Sequence, residues 1–406
     1  EIMPSLVGSE MCIRDSIQRD YLNMKARVIA LYLPQFHPIP ENDKYWGKGF
    51  TEWTNVGKAK PLFKGHYQPR VPADLGYYDL RMPEVREAQA GLAREAGIEG
   101  FCYWHYWFGN GRMLLERPFQ EVLDSGKPEF PFCLGWANHS WKTSTWTNDG
   151  KQRNEMIAEM QYLGEDDYRK HFNYVLKAFQ DKRYITVDGM PLFLIFDPID
   201  LPADFIPYWR KLAKEVGLPG IHFVANIQNT NGRPLKDNNG NIVAKGYFAT
   251  DEAGKYYDYV VNIKGFDAVA SLGTWRAEIM SKNKFWFAAQ RALANRFNIK
   301  IPNIYDYRKI MKNYYVPEDS RENVYPSLLP QWDRSPRSGV NGIYKNSTPE
   351  YFKESILEAL KLVKNKKAEH RILFLKSWNE WAEGNYVEPD IKFGHGYLDA
   401  IHDSII

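Results

Sequence analysis

Eight short, nearly continuous apolar runs recur along the chain, each ending in polar or aromatic residues. They are RVIALYLPQFH (27–37), IEGFCYWHYWF (98–108), FPFCLGWANHSW (130–141) and PLFLIFDP (191–198), then IHFVANIQN (221–229), FDAVASLGTW (266–275), VYPSLLPQWD (324–333) and RILFLKSWNEW (371–381). Runs of this length without alternation are what strands buried on both faces of a parallel sheet require. Between them the apolar spacing changes to that of a helix. MPEVREAQAGLAREAG carries Pro83 near its start and Gly97 at its end, the asymmetry of a helix. MLLERPFQEVLDSG sets Leu115, Phe119, Val122 and Leu123 at helical spacing. STPEYFKESILEALKLVKNKK offers Ser347 or Thr348 as a cap, Pro349 in the first turn, and one stripe of Phe352, Ile356, Leu360 and Val363. Strands alternating with helices eight times over predict the α/β class, as a single (β/α)8 TIM barrel. Long βα-loop insertions fall at 38–80, 142–189 and 229–265, the last with an Asn239-Gly240 hairpin signal.

A length of 406 residues suggests two or three domains, but one barrel with long loops absorbs it. Residues 1–23 show no periodicity connecting to the rest of the chain and resemble translated adapter read-through. They read as a non-native or disordered extension, with Met24 as the start and 24–406 as the catalytic domain. The charges ahead of the first apolar run imitate a leader peptide. The run is short, lacks a small-residue cleavage site and ends in Pro34-Gln35, so it reads as a strand. No stretch approaches the roughly 20 apolar residues of a membrane span, which predicts no integral membrane segment. The final GHGYLDAIHDSII reads as a short last helix, with the C-terminus cut short. Cys12, Cys102 and Cys133 are too few and scattered for a disulfide framework; two lie in apolar runs as buried, reduced thiols, a cytoplasmic pattern. With 53 Lys and Arg against 50 Asp and Glu, a net +3, the chain is too balanced for a nucleic-acid partner.

Composition changes the picture in one respect. Aromatic residues make up 15% of the chain, with 13 Trp and 26 Tyr. Their amphipathic rings suit a packed core and a wet binding cleft equally. In such barrels the active site lies at the C-terminal ends of the strands. Read off there, the strand ends supply Gln35 and His37; Trp104, His105 and Tyr106; Asn138 and His139; Asp197; Asn226 and Gln228; Trp275; and Gln331, Trp332 and Asp333. The eighth supplies Trp378, Asn379, Glu380, Trp381 and Glu383. Amides, imidazoles, indoles and carboxylates in one ring suit a polyhydroxylated substrate, an oligosaccharide or polysaccharide.

The sharpest feature is SWNEWAEG (377–384). Making or breaking a glycosidic bond generally needs two carboxyl groups about the anomeric carbon, one giving a proton and one taking a proton or attacking. Glu380 and Glu383 are three apart, so a turn of helix or a tight loop points both into one cleft. Trp378 and Trp381 beside them can exclude water and raise one carboxyl's pKa. The structural alternative is that they cap the next segment or pair with Lys376 and Lys392.

Other chemistry finds less support. His37, His105 and His139 end the first three strands, yet no H-x-H or H-E-x-x-H spacing occurs, so hydrogen bonding to sugar hydroxyls is expected and no metal. Gly109-Asn110-Gly111-Arg112 opens the helix after strand two as a turn or an anion site. No G-x-G-x-x-G, Walker A or Asp-x-Asp is present, which counts against a nucleotide-sugar donor.

Several long segments, in order, resemble the WbsX-type, glycoside hydrolase family 99-like domain from about Arg27 to the end. They are ALYLPQFHPIPENDKYWGKGFTEWTNV with Trp53, HYQPRVPADLGYYDLR, GFCYWHYWF, LGWANHSW with Trp136, LLPQWDRSPR and LKSWNEWAEGNYVEPD. The resemblance implies a (β/α)8 enzyme with a retaining, endo-α-mannosidic kind of chemistry and neither metal nor organic cofactor. Its E-W-x-E motif implies that Glu380 deprotonates the substrate's own 2-hydroxyl and Glu383 serves as general acid, then base. The WbsX-type branch is associated with O-antigen and lipopolysaccharide assembly and is often labelled glycosyltransferase. The expectation is a carbohydrate-active enzyme on a cell-surface polysaccharide. The alternatives are a WbsX-type glycosyltransferase and a non-catalytic glycan-binding barrel, which the intact pair argues against. Nothing in the sequence signals an oligomeric state.

Overall fold

The computed structural model describes residues 24–144, 154–227, 234–237, 239–244, 252–282, 284–297 and 301–406. Among them, eight parallel strands close into a barrel: β1 (Arg27–Tyr32), β2 (Gly100–Trp107), β3 (Phe132–Trp136), β4 (Met190–Ile195), β5 (His222–Ile227), β6 (Ala268–Ser271), β7 (Val324–Leu328) and β8 (Ile372–Leu375). Each pairs with the next, and β8 returns to β1 through Arg27 opposite Ile372 and Ala30 opposite Leu375. Every strand falls inside one of the eight apolar runs, except that β4 begins at Met190, one residue before its run. Buried on one face by the barrel interior and on the other by helices, such a strand has no polar side to show.

The helices pack outside. Among them are α1 (Pro83–Glu95), α2 (Arg117–Ser125), α3 (Glu165–Phe179), α4 (Phe205–Glu215), α5 (Pro349–Val363) and α6 (Gly396–Ile405). Thr348 caps α5 by accepting the Tyr351 N–H, as its sequence predicts. The segment before α2 differs from the expectation. Pro118 confines the helix to begin at Arg117, while Met113–Leu114 pair with the end of β2 and Leu115 sits at φ 60°. The Gly109–Arg112 segment is a turn, and the Asn110 N–H already meets an anion, the Asp167 carboxylate at 2.6 Å. The Asn239-Gly240 signal joins two short antiparallel strands, Leu235–Lys236 and Ile242–Ala244. Cys102 and Cys133 face each other across β2 and β3 as buried free thiols. The expectations for residues 1–23, Cys12 and Gln228 lie outside the described residues.

The two barrel ends divide their work. At the N-terminal end Arg27 forms a fork with Glu99, at 2.8 and 2.7 Å, and reaches the carbonyls of Thr186 and Glu369. A buried ion pair with its remaining donors satisfied is a structural device. The opposite end carries the long loops and a cleft, as barrels of this kind arrange.

Candidate active site

The alternation within each strand decides what reaches that cleft. In β2, Trp104 and Tyr106 point to the inside and line it, whereas Tyr103, His105 and Trp107 point to the helices. A neighbouring glycine makes room: a Cβ at Gly135 would stand 3.0 Å from the Trp104 ring. In β3 the same alternation turns Trp136 outward and brings Ala137 and His139, just beyond it, to the cleft.

The chain after β8 makes a tight hairpin. Asn379–Glu380 pair with Asn385–Tyr386, and Trp381–Glu383 form a single 3₁₀ turn closed by Gly384 at φ 53°. Glu380 is the N-cap of this turn and Glu383 its last residue, and across so short a reversal both carboxyls line the same cleft. Each side chain is less than a tenth exposed.

Their surroundings separate their charges. Burial pushes the Glu380 carboxyl up to about 7, opposed by Lys376 at 3.8 Å and reinforced by the neighbouring Glu383, with which it shares a hydrogen bond. Burial acts on Glu383 in the same direction, but Arg337 at 3.0 Å and Arg334 at 3.2 Å reach its Oε1 and hold it well below the usual carboxylate range. In the open cleft the pair therefore holds its proton on Glu380 and its negative charge on Glu383. Arg337 is fixed from behind by Glu52, whose Oε1 accepts from Arg337 at 2.9 Å and from the Ala382 N–H at 2.9 Å. Glu52 comes from the loop after β1, on the short helix Glu52–Lys58.

The cleft encloses about 670 Å³. Aromatic walls come from Trp104, Tyr106, Trp141, Trp275, Tyr305 and Trp332. Among cations and acids the lining carries Lys282, Arg334, Arg337 and Lys376 with Glu278, Glu380 and Glu383. Flat faces, hydrogen-bonding tips and a carboxyl pair of unlike charge form a site equipped to hold sugar rings and move a proton at a glycosidic oxygen.

Of the residues expected at the site from the sequence, Trp104, Tyr106, His139, Trp275, Trp332, Glu380 and Glu383 line the cleft. The others stand elsewhere. His37 is buried in the loop after β1, and burial lowers its pKa. Trp53 donates to the Tyr78 carbonyl at 2.8 Å and packs on Trp381. His105 meets His171 at 2.8 Å on the helix side. Trp136 donates to the Trp107 carbonyl at 3.0 Å. Asn138 ties the loops after β3 and β4 by donating to the Asp197 carbonyl and accepting its N–H, at 2.8 and 2.7 Å. Gln331 contacts Arg70 and donates to the Tyr386 carbonyl. Trp378 is wholly buried against Phe101. Asn379 clasps the Leu33 backbone through both its N–H and its C=O. Trp381 stacks on Tyr386 at 3.7 Å and donates to Glu388 at 2.6 Å. These residues set the loops on which the cleft is built. The structural alternative for the pair is met in half: Lys376 does approach Glu380, while Lys392 lies over Tyr67. Among the described residues no group of three His, Cys, Asp or Glu side chains is placed to hold a metal.

Arg334, Arg337, Lys376, Glu52 and Trp141 enter the site without having been singled out as binding or catalytic groups. Arg334 and Arg337 lie in LLPQWDRSPR, three apart, and both meet Glu383.

The sequence matches the family described as Glycosyltransferase WbsX over residues 28–401. The protein named Uncharacterized protein WxcX from Xanthomonas campestris pv. campestris (strain B100) is 33% identical over 388 residues, covering 94% of this chain and 50% of that protein. The chain thus spans about half the length of the curated relatives it matches. Among solved structures, one titled Glycoside hydrolase-like protein shares the barrel with a TM-score of 0.55 at 13% identity, over 94% of each chain. A GH99 endo-alpha-mannosidase from Bacteroides thetaiotaomicron aligns with a TM-score of 0.47 at 13% identity, over 93% of this chain and 95% of that one.

Proposed function

The chain belongs to the WbsX glycosyltransferase family, a family of carbohydrate-active enzymes, and from that premise we propose that it acts on glycosidic bonds of a cell-surface polysaccharide or its precursor through Glu380 and Glu383. The single observation that carries this reading is the carboxyl pair of unlike charge at the N-cap and the last residue of one 3₁₀ turn, facing an aromatic-walled cleft. The α-mannosidic, O-antigen-like character of the substrate rests on the motif resemblance.

The roles follow the protons. Glu380, protonated, gives its proton to the leaving oxygen. Glu383, held anionic by two arginines, takes a proton from the substrate or attacks the anomeric carbon. This exchanges the roles that the E-W-x-E resemblance implies, and the reason is the position of Arg334 and Arg337 on Glu383. Substrates with activated leaving groups separate the two assignments. Glu380→Gln should keep much of its activity on an aryl glycoside and lose it on the natural glycan, because a good leaving group needs no acid. The opposite pattern, with Glu383→Gln the tolerant variant, restores the implied roles.

Transfer is the second reading, favoured by the cations Lys282, Arg334 and Lys376 in the lining, which suit a phosphate-bearing leaving group. Incubation with α-mannosides, bacterial O-antigen polysaccharides and nucleotide sugars distinguishes the two. Hydrolysis releases new reducing ends, and transfer releases nucleotide only when an acceptor is present. Neither product from any of the three sinks the proposal.

A further inference from the structure

Two residues after Lys282, which lines the cleft, begins a helix whose outward face is of the wrong kind for water. In Lys284–Phe297 the exposed positions include Phe285, Ala288, Ala289, Ala292, Leu293 and Phe297, with Arg296 as the polar residue among them. Phe285 is 90% exposed and Phe297 62%. A surface helix ordinarily turns its apolar stripe to the core and its charges to solvent. The preceding helix, Thr274–Ser281, adds exposed Trp275, Ile279 and Met280. Apolar groups gathered like this mark an interaction surface.

Charge identifies the partner. Of the described side chains, Lys282 just before the helix and the exposed Arg296 are cationic, and from residue 282 to residue 300 the sequence holds no Asp or Glu. Apposing two copies of such a segment about a two-fold axis would bring cations against cations. A surface that accepts phenyl rings and neutralises Lys and Arg together is the headgroup region of an anionic bilayer. The helix, about 21 Å long at 1.5 Å per residue, is too short to cross a bilayer and suited to lie on one.

We propose that the helix Lys284–Phe297, together with the exposed face of Thr274–Ser281, docks this protein on an anionic membrane surface. Trp275 and Lys282 also line the cleft, so the docked face sets the cleft mouth beside the bilayer, where a lipid-borne glycan would be presented. The docking stands independently of the chemistry assigned to Glu380 and Glu383.

Flotation of the full chain with vesicles tests it, using phosphatidylcholine with and without phosphatidylglycerol. The protein should float with the anionic vesicles, and added salt should reduce the bound fraction. Phe285→Ser/Phe297→Ser should weaken that binding roughly tenfold or more, the scale expected for withdrawing two phenyl rings from an apolar phase. Arg296→Glu should weaken binding to the anionic vesicles alone. Both variants alter exposed positions, so they should keep the wild-type melting temperature and wild-type turnover of a short water-soluble glycan. A wild-type chain that ignores anionic vesicles, or variants that float as it does, overturns the proposal. So does light scattering that shows a dimer dissociated by Phe285→Ser/Phe297→Ser with no vesicle binding by either form, an outcome that assigns the face to a second copy. Loss of docking with turnover intact leaves the account of the cleft standing.

Discussion

Arg337 meets Glu383 at 3.0 Å and, through its other terminal nitrogen, Glu52 at 2.9 Å, so one buried guanidinium joins the loop after β1 to the turn after β8. The bridge does two things: it keeps Glu383 ionised in a place where burial favours the neutral acid, and it fixes the turn that carries both glutamates.

Removing the guanidinium should therefore destabilise the fold and shift chemistry together. Arg337→Met leaves Glu52 and Glu383 without their shared partner inside the protein, and breaking a buried pair in this way costs about 3–5 kcal/mol. Urea unfolding should show that loss, and Glu52→Gln/Arg337→Met should recover part of it, a coupling that independent sites would lack. A purely additive double variant would separate the two residues.

The pH dependence follows from Glu380, whose carboxyl is pushed up to about 7 from its ordinary 4.5. If it must be protonated to act as the acid, kcat/KM falls as pH rises through about 7. Between pH 4.5 and 7 the folded chain holds a proton that the unfolded chain has released, so the stabilisation from this group is full below 4.5 and lost as pH rises through 7. Glu380→Gln should remove both the kinetic limb and that slope in thermal stability. A limb that survives in the variant would belong to another group.

Trp275 lines the cleft with nearly half its surface exposed. Trp275→Ala should leave the melting temperature unchanged and raise KM by roughly tenfold, about 1.4 kcal/mol of binding, with kcat retained. A fall in kcat at constant KM would move this indole from holding the glycan to shaping the reacting centre.

Gly384 ends the glutamate turn at φ 53°, and a Cβ there would stand 2.7 Å from the Asp333 Cβ. Gly384→Ala should destabilise the fold by about 1–3 kcal/mol. By shifting the turn it should also lower kcat by about 10²-fold. Wild-type turnover in this variant would show that the turn tolerates displacement.

The eight strands were legible because parallel strands buried on both faces leave long apolar runs, and α5 because its cap and stripe are local. The same continuity hid which residues face inward. In FCYWHYW a period of two separates Trp104 and Tyr106 from His105, but from Tyr103 onward every residue carries a ring and none marks the phase. Hence His105 and Trp136 were expected in the cleft and stand against helices. Glu380 and Glu383 were legible from their place after the last strand. Their charges were not, because those depend on Arg337, 46 residues before Glu383, and on Glu52, 285 residues before Arg337. No spacing rule spans such separations.

The claim on which the rest depends is that two buried carboxyls on one turn act together on a glycosidic bond. Its most direct test is the turnover of Glu383→Gln on whichever glycan the wild-type chain accepts, with glycan affinity measured by calorimetry on the same preparation. The account predicts turnover reduced by about 10²–10⁴-fold and affinity essentially unchanged. Turnover equal to wild type would contradict it.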